Sequence, residues 1–147
     1  MNIIVRVYGL IINNQEKVLL SDEFQLGTKM IKFPGGGLEA GEGPADCIKR
    51  EAIEEFGQEI EIISHFYTTD FFQKAMFFEN HQLISIYYRI KFIDAPQFKI
   101  SRKAFDFEEM INGSQSFRWQ SIKDLDIEDL SFPIDKKVGL LLKDKYQ

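Results

Sequence analysis

The chain of 147 residues has one cysteine, two histidines, one tryptophan and four prolines. It also has no apolar run approaching the roughly 20 residues that a membrane-spanning helix needs. With Cys47 as the only cysteine, no intramolecular disulfide can form, and a reducing compartment is expected. His65 and His81 have no partner at metal-ligand spacing and read as structural or exposed. Ten glycines and four prolines are too few for a disordered or collagen-like chain. An excess of positive charge is missing as well: 18 Lys and Arg stand against 23 Asp and Glu, for a net charge of −5. That balance argues against non-specific binding to nucleic-acid backbones. It leaves room for small anionic substrates, because a bound cation reverses the local potential. The segment Met1–Gly9 is apolar but carries Arg6 and lacks a basic leader and a cleavage site, so a strand is expected there rather than a signal peptide. A cytoplasmic protein with neither nucleic acid nor membrane as partner is the expectation.

What the chain does have is core material. At 44% hydrophobic and 14% aromatic, it can fill one domain over residues 1–147. Ile3–Ile12 and Lys17–Ser21 read as strands joined at Asn13–Glu16 in a hairpin. Glu23–Lys29 reads as a polar loop, and Met30–Phe33 as a short apolar run. Pro34-Gly35-Gly36-Gly37 breaks regular structure and lets the backbone approach another group closely. Strands are expected at Glu59–Ser64, Phe66–Phe72, Leu83–Phe92 and Phe117–Gln120, with an aromatic loop over Gln73–His81. Ser121 is expected to cap a short helix through Asp129. Pro133 opens a last helix with Ile134, Val138, Leu141 and Leu142 on one stripe. Mixed strands with interspersed helices give an α/β class with α/β/α layers.

Pro44–Phe56 is the most informative segment. Gly43 suits the cap, Pro44 the first helical position and Gly57 the C-terminal stop. At about 100° per residue, Glu55 lies about 40° to one side of Glu51 and Glu54 about 60° to the other. Three carboxylates therefore share an arc of about 100°, while Ala45, Ile48, Ala52, Ile53 and Phe56 fall on a separate apolar arc. Like charges at this spacing repel, and a hard divalent cation relieves the repulsion. Mg²⁺ prefers carboxylate and carbonyl oxygens, and the backbone of Gly35–Gly37 lies just before the helix. A solvated acidic face is the alternative for the three glutamates taken alone.

The surrounding spacing decides between these. Gly36, five residues, Glu42, seven residues, Arg50-Glu51, two residues, Glu54-Glu55, one residue and Gly57 resemble the polar frame of the Nudix box, which runs here from Gly36 to Gln58. Lys32–Glu42 resembles the usual approach to the box, and Phe117-Arg118-Trp119 with Leu125 resembles the C-terminal end of such domains. Ala52 and Gln58 depart from the bulky aliphatic residues usual at their positions, which concerns packing rather than the ligands.

The resemblance implies a Nudix-like α/β/α sandwich with a mixed β-sheet and a metal-dependent pyrophosphohydrolase. Its substrate would be a nucleoside diphosphate linked to another moiety: a nucleoside triphosphate, a nucleotide sugar or a dinucleoside polyphosphate. It implies Mg²⁺, with Mn²⁺ as a substitute, held by Glu51, Glu54, Glu55 and the Gly35 carbonyl. It further implies that Arg50 and Glu42 orient the loop and helix through a salt bridge, and that Glu51 or Glu54 serves as general base. Glu79, Glu108 and Glu109 are alternative bases on loops. Arg6, Lys32 and Phe107 are candidate substrate contacts, with Phe24 and Tyr67 as further stacking candidates, and Cys47 is assigned to packing. The apolar cluster Phe71, Phe72, Met76, Phe77 and Phe78 is read as core, lid or homodimer contact. The competing functional reading is an inactive nucleotide-derivative sensor of the same fold, although such relatives usually carry an extra DNA-binding domain and an eroded box.

Overall fold

The β-branched run at the N-terminus forms β1, Asn2–Ile11, whose partner along its whole length is a parallel strand nearly 80 residues away in sequence. All residues, Met1–Gln147, are described by the computed structural model, and they divide into two units. The first holds Met1–Ile11 and Pro34–Gln97; the second holds Ile12–Phe33 and Phe98–Gln147. No helix is long and apolar enough to cross a membrane.

In the first unit a four-stranded mixed sheet has the order β4-β1-β6-β5. Here β4 is Gly35–Gly37, β5 is Ile60–Thr68 and β6 is His81–Phe92. Helix α1 spans Pro44–Phe56, the limits read from the sequence, with Gly57 in the left-handed conformation at φ 67°. The Asp46 carboxylate accepts the Gly43 N–H at 3.1 Å, which satisfies one donor of the first turn. Cys47, Ile48, Ala52 and Phe56 are buried, each large apolar side chain contributing about 1.5–3 kcal/mol. Ile53, placed on the apolar arc by its rotation, is instead 49% exposed, because it stands at that arc's outer limit. Gly9 is required where β1 meets the helix: a Cβ there would lie 2.4 Å from Ile90 Cδ1 and 3.4 Å from Ile48 Cδ1.

Three expectations change in this unit. Pro34–Gly37 does not simply break structure, since its glycines add an edge strand antiparallel to β1. The two strands expected at Glu59–Ser64 and Phe66–Phe72 are one strand, β5, with irregularities at Ile62/Ser64 and His65/Tyr67. Bulges of this kind spoil strict alternation and so hide continuity. Phe71, Phe72, Met76 and Phe78 are 42–60% exposed, which overturns the core reading of the aromatic cluster.

In the second unit the sheet order is β3-β2-β8-β7. Strand β2 is Lys17–Gln25, β3 is Thr28–Lys32, β7 is Ile100–Ser101 and β8 is Ser114–Ser121. The loop expected at Glu23–Lys29 is a tight β2–β3 hairpin. Leu26 and Gly27 both have positive φ, 51° and 71°, as a type I′ turn requires. Leucine seldom takes that conformation, so the turn was hidden. Asn13–Glu16 does turn the chain, but only the bridge Ile12↔Val18 forms, because β1 and β2 enter different sheets. The helix expected from Ser121 is a 3₁₀ turn at Ile127–Asp129, capped by Asp126. Helix α2, Pro133–Lys145, buries Ile134, Val138 and Leu142 on the expected stripe, and Leu141 only partly.

Candidate active site

Glycine is forced at two positions of β4. A Cβ on Gly35 would stand 2.1 Å from the Val7 carbonyl oxygen, and one on Gly36 would lie 2.3–2.6 Å from the Glu51 carboxylate atoms. The Glu51 carboxylate therefore rests directly on the Gly36 backbone. Gly9 N–H donates to Pro34 O at 2.8 Å, and Leu38 N–H donates to Val5 O at 2.9 Å. Antiparallel ladder bonds alternate along a strand, so the Val7–Gly36 pair takes the bonds between these two. The carbonyls of Gly35 and Gly37 consequently point away from β1, and that of Gly37 accepts Arg50 Nη2–H at 2.9 Å.

Arg50 organises the acidic groups. Its Nε and Nη2 donate to the two Glu42 oxygens at 3.0 and 2.7 Å, a bidentate fork of the strong kind. Its Nη1 donates to Glu51 at 3.1 Å and to Glu54 at 3.2 Å. The hydrogen bonds from Arg50, and then the Glu39 N–H, hold the Glu42 carboxyl down at about 2. The same network, led by Glu42, raises the Arg50 guanidinium above its ordinary value. A depressed carboxyl contributes stability that is present above its unfolded value of about 4.5 and is lost as pH falls through about 2. Glu42→Gln is thus expected to melt below the parent at neutral pH. The gap in melting temperature should close as the buffer is taken from about pH 5 to about pH 2, which a pH series of thermal melts reads directly.

Cys47 is fully buried. Burial first, and the neighbouring Glu42 second, push its thiol up to about 12. It therefore stays a neutral S–H and lies 3.5 Å from the Gly37 carbonyl, a packing contact with a weak donor. Gln58, the other departure from the box pattern, also has a local use. Its amide donates to Ala95 O at 3.0 Å and accepts Gln97 N–H at 2.7 Å, tying the loop after β6 to the end of the helix.

The box donors are carboxylate and carbonyl oxygens only, the set that Mg²⁺ favours. As the side chains stand, no three acidic, histidine or cysteine groups converge on one ion-sized point. The charge between Glu51 and Glu54 is that of Arg50 Nη1, which occupies the position a cation between them would take. Arg50 is anchored on its far side by Glu42 and Gly37, so Nη1 can yield without release of the guanidinium. Glu51 is enclosed, with 14% of its side chain exposed, whereas Glu54 is 57% exposed. A pair with one fixed and one adjustable carboxylate fits a divalent ion.

The remaining candidates disperse. Arg6 lies beside Gly37 across the β1–β4 ladder, donating to the Tyr8 hydroxyl at 2.7 Å. Lys32 and Phe107 belong to the second unit. Lys32 is buried, not on the surface, and pairs with Glu23 at 3.2 Å. Phe107 lines an open cleft of about 480 Å³ with Phe98 and Phe117. Phe24 is half-buried on β2, and Glu108 and Glu109 are exposed on the loop that lines the same cleft. Glu79 is exposed, and its carbonyl contacts His81 Nδ1 at 2.6 Å, while His65 meets Thr68 at 2.8 Å. Tyr67 donates to Asp70 at 2.8 Å, and burial together with that carboxylate raises its hydroxyl above the ordinary range. Arg89, a cation set inside the apolar run Leu83–Phe92, was missed, although a charge in such a run is itself a signal.

Comparison with known proteins agrees with this geometry. The NUDIX domain model matches residues 3–139. The chain belongs to the Nudix family and is a hydrolase of phosphoric anhydride bonds. Its fold is that of a MutT from a study of the Aliivibrio salmonicida and Vibrio cholerae proteins: 22% identity over 98% of this chain and 99% of that one, with a TM-score of 0.64. A Nudix hydrolase from Nitrosomonas europaea is similar at 18% identity, covering 97% and 89%, with a TM-score of 0.70. A UDP-X diphosphatase is similar at 18% identity, covering 100% and 66%, with a TM-score of 0.65. These likenesses place the chain in the α/β/α Nudix class. No curated protein matches the sequence.

Proposed function

We propose that residues 1–147 form one Nudix hydrolase domain that cleaves a nucleoside diphosphate linked to a second moiety and depends on Mg²⁺ or Mn²⁺. The observation that carries this reading is the Glu51 carboxylate seated on Gly36, with a positive charge held between it and Glu54. A divalent ion there would neutralise pyrophosphate oxygens and acidify an attacking water. Glu51, Glu54 and Glu55 would hold it together with the Gly35 carbonyl. Glu42 and Arg50 act one step back: their fork fixes the loop against the helix, so that Glu51 and Gly37 keep their places. Either Glu51 or Glu54, when not engaged with the ion, can accept the proton of the water. The family relatives named MutT and UDP-X diphosphatase support a nucleotide-derivative substrate.

A panel of nucleoside triphosphates, nucleotide sugars and dinucleoside polyphosphates, each with Mg²⁺ or Mn²⁺, tests the proposal. At least one class should be split within its pyrophosphate, releasing a nucleotide together with pyrophosphate or a phosphorylated product. Tight binding without turnover under either metal would make the chain a sensor instead.

A further inference from the structure

Arg89 lies near the end of β6 between the buried Ile90 and the half-buried Tyr88. Ile90 packs towards Gly9 and Ile48 on the helix side of the sheet. Alternation along the strand turns Arg89 to the opposite face, where Tyr87 also points. Tyr87 is fully buried and stacks on Tyr8 at 5.1 Å, and Tyr67 approaches it at 6.3 Å. This face thus carries three tyrosines and two guanidinium groups, those of Arg6 and Arg89. Arg6 bonds to the Tyr8 hydroxyl. Arg89 differs: its Nε is buried without a hydrogen-bond partner, and it enters no ion pair.

A guanidinium cannot shed its proton at any ordinary pH. A buried donor on a permanent cation is costly until an acceptor reaches it, and an aliphatic side chain at this position would carry no such cost. No carboxylate of the chain answers Arg89, so its Nε is open to an acceptor from outside, and a planar fork suits a phosphate oxygen pair. The strand register sets where that phosphate would lie. Arg89 pairs with Leu10, and Gly35 pairs with Tyr8, two residues back on the same strand. With about 3.3 Å per residue and about 4.8 Å between strands, the Cα atoms of Arg89 and Gly35 are roughly 12 Å apart. That is too far for a group bound at the box, and Arg89 faces away from α1, so only a phosphate carried round the β4 edge by an extended substrate would meet it.

We infer that Arg89 binds a phosphate of the substrate beyond the diphosphate that is cleaved, so that the second moiety is anionic. This narrows the pyrophosphohydrolase reading, on which it rests, towards nucleoside triphosphates and dinucleoside polyphosphates and away from neutral nucleotide sugars. Arg89→Gln and Arg89→Lys separate the possibilities, with diadenosine tetraphosphate and UDP-glucose as paired probes. Arg89→Gln should melt at or above the parent without ligand, because an unpaired cation is removed. Its KM for the tetraphosphate should rise about tenfold, the loss of one charge-assisted contact. Arg89→Lys should recover part of this, and constants for UDP-glucose should stay within about twofold. A lower melting temperature of the ligand-free Gln variant, or equal effects on both probes, or no effect on either, would overturn the assignment. If the parent cleaves neither compound, the hydrolase reading fails on its own. Calorimetric binding of the Mg²⁺-tetraphosphate complex then still decides Arg89: weaker binding by the Gln variant supports it, and equal binding refutes it.

Discussion

Glu54→Gln is expected to lower metal-dependent turnover by about a thousandfold while shifting the melting temperature by no more than about two degrees. The two effects separate because Glu54 is more than half exposed and is held by Arg50 in an i,i+4 pair. Such a surface pair contributes about 0.3–0.5 kcal/mol. Gln keeps the shape of the side chain and removes the charge that would balance a divalent ion, so the loss falls on chemistry. Steady-state rates at saturating Mg²⁺ and a thermal melt of the same preparation check both halves. A variant that retains full activity would remove Glu54 from the ion site.

Gly36→Ala should be the more informative partner of that experiment. The added methyl would meet the Glu51 carboxylate at 2.3 Å, and its three nearest contacts all belong to that carboxylate. A flexible side chain can swing aside, so the fold survives, but Glu51 leaves its seat. Turnover is expected to fall about a hundredfold or more, because a ligand displaced by about an ångström no longer completes the site. Gly35→Ala makes the control. Its methyl would strike the Val7 carbonyl at 2.1 Å and Tyr8 Cα at 2.7 Å, both backbone atoms, so the protein itself should be destabilised. Rates and melts of the two variants side by side distinguish a displaced ligand from a damaged sheet.

The helix and its acidic stripe were legible in the sequence because every cue there is local. Pro44, Gly57 and the spacing of Glu51, Glu54 and Glu55 act within a few turns. The role of Gly36 was legible as freedom for a close approach, but not as the seat of Glu51, since that contact joins residues 15 apart in the sequence. The parallel pairing of β1 with β6 was out of reach for a similar reason: it depends on a long connection that local periodicity does not encode. The Leu26-Gly27 turn was missed because an exposed leucine gives no sign that it will adopt positive φ. Arg50 shows the limit most clearly. Its place in the box pattern fixes its identity, yet only the folded chain brings Glu42, Glu51, Glu54 and the Gly37 carbonyl around one guanidinium.

The positive charge between Glu51 and Glu54 is expected to give way to a catalytic divalent ion. Turnover of a cleaved nucleotide, measured after chelation and then across a Mg²⁺ titration, tests this most directly in the parent and in Glu54→Gln. No activity is expected after chelation, with saturable recovery in the parent and negligible recovery in the variant at the same Mg²⁺. Activity in the parent that survives chelation would contradict this expectation.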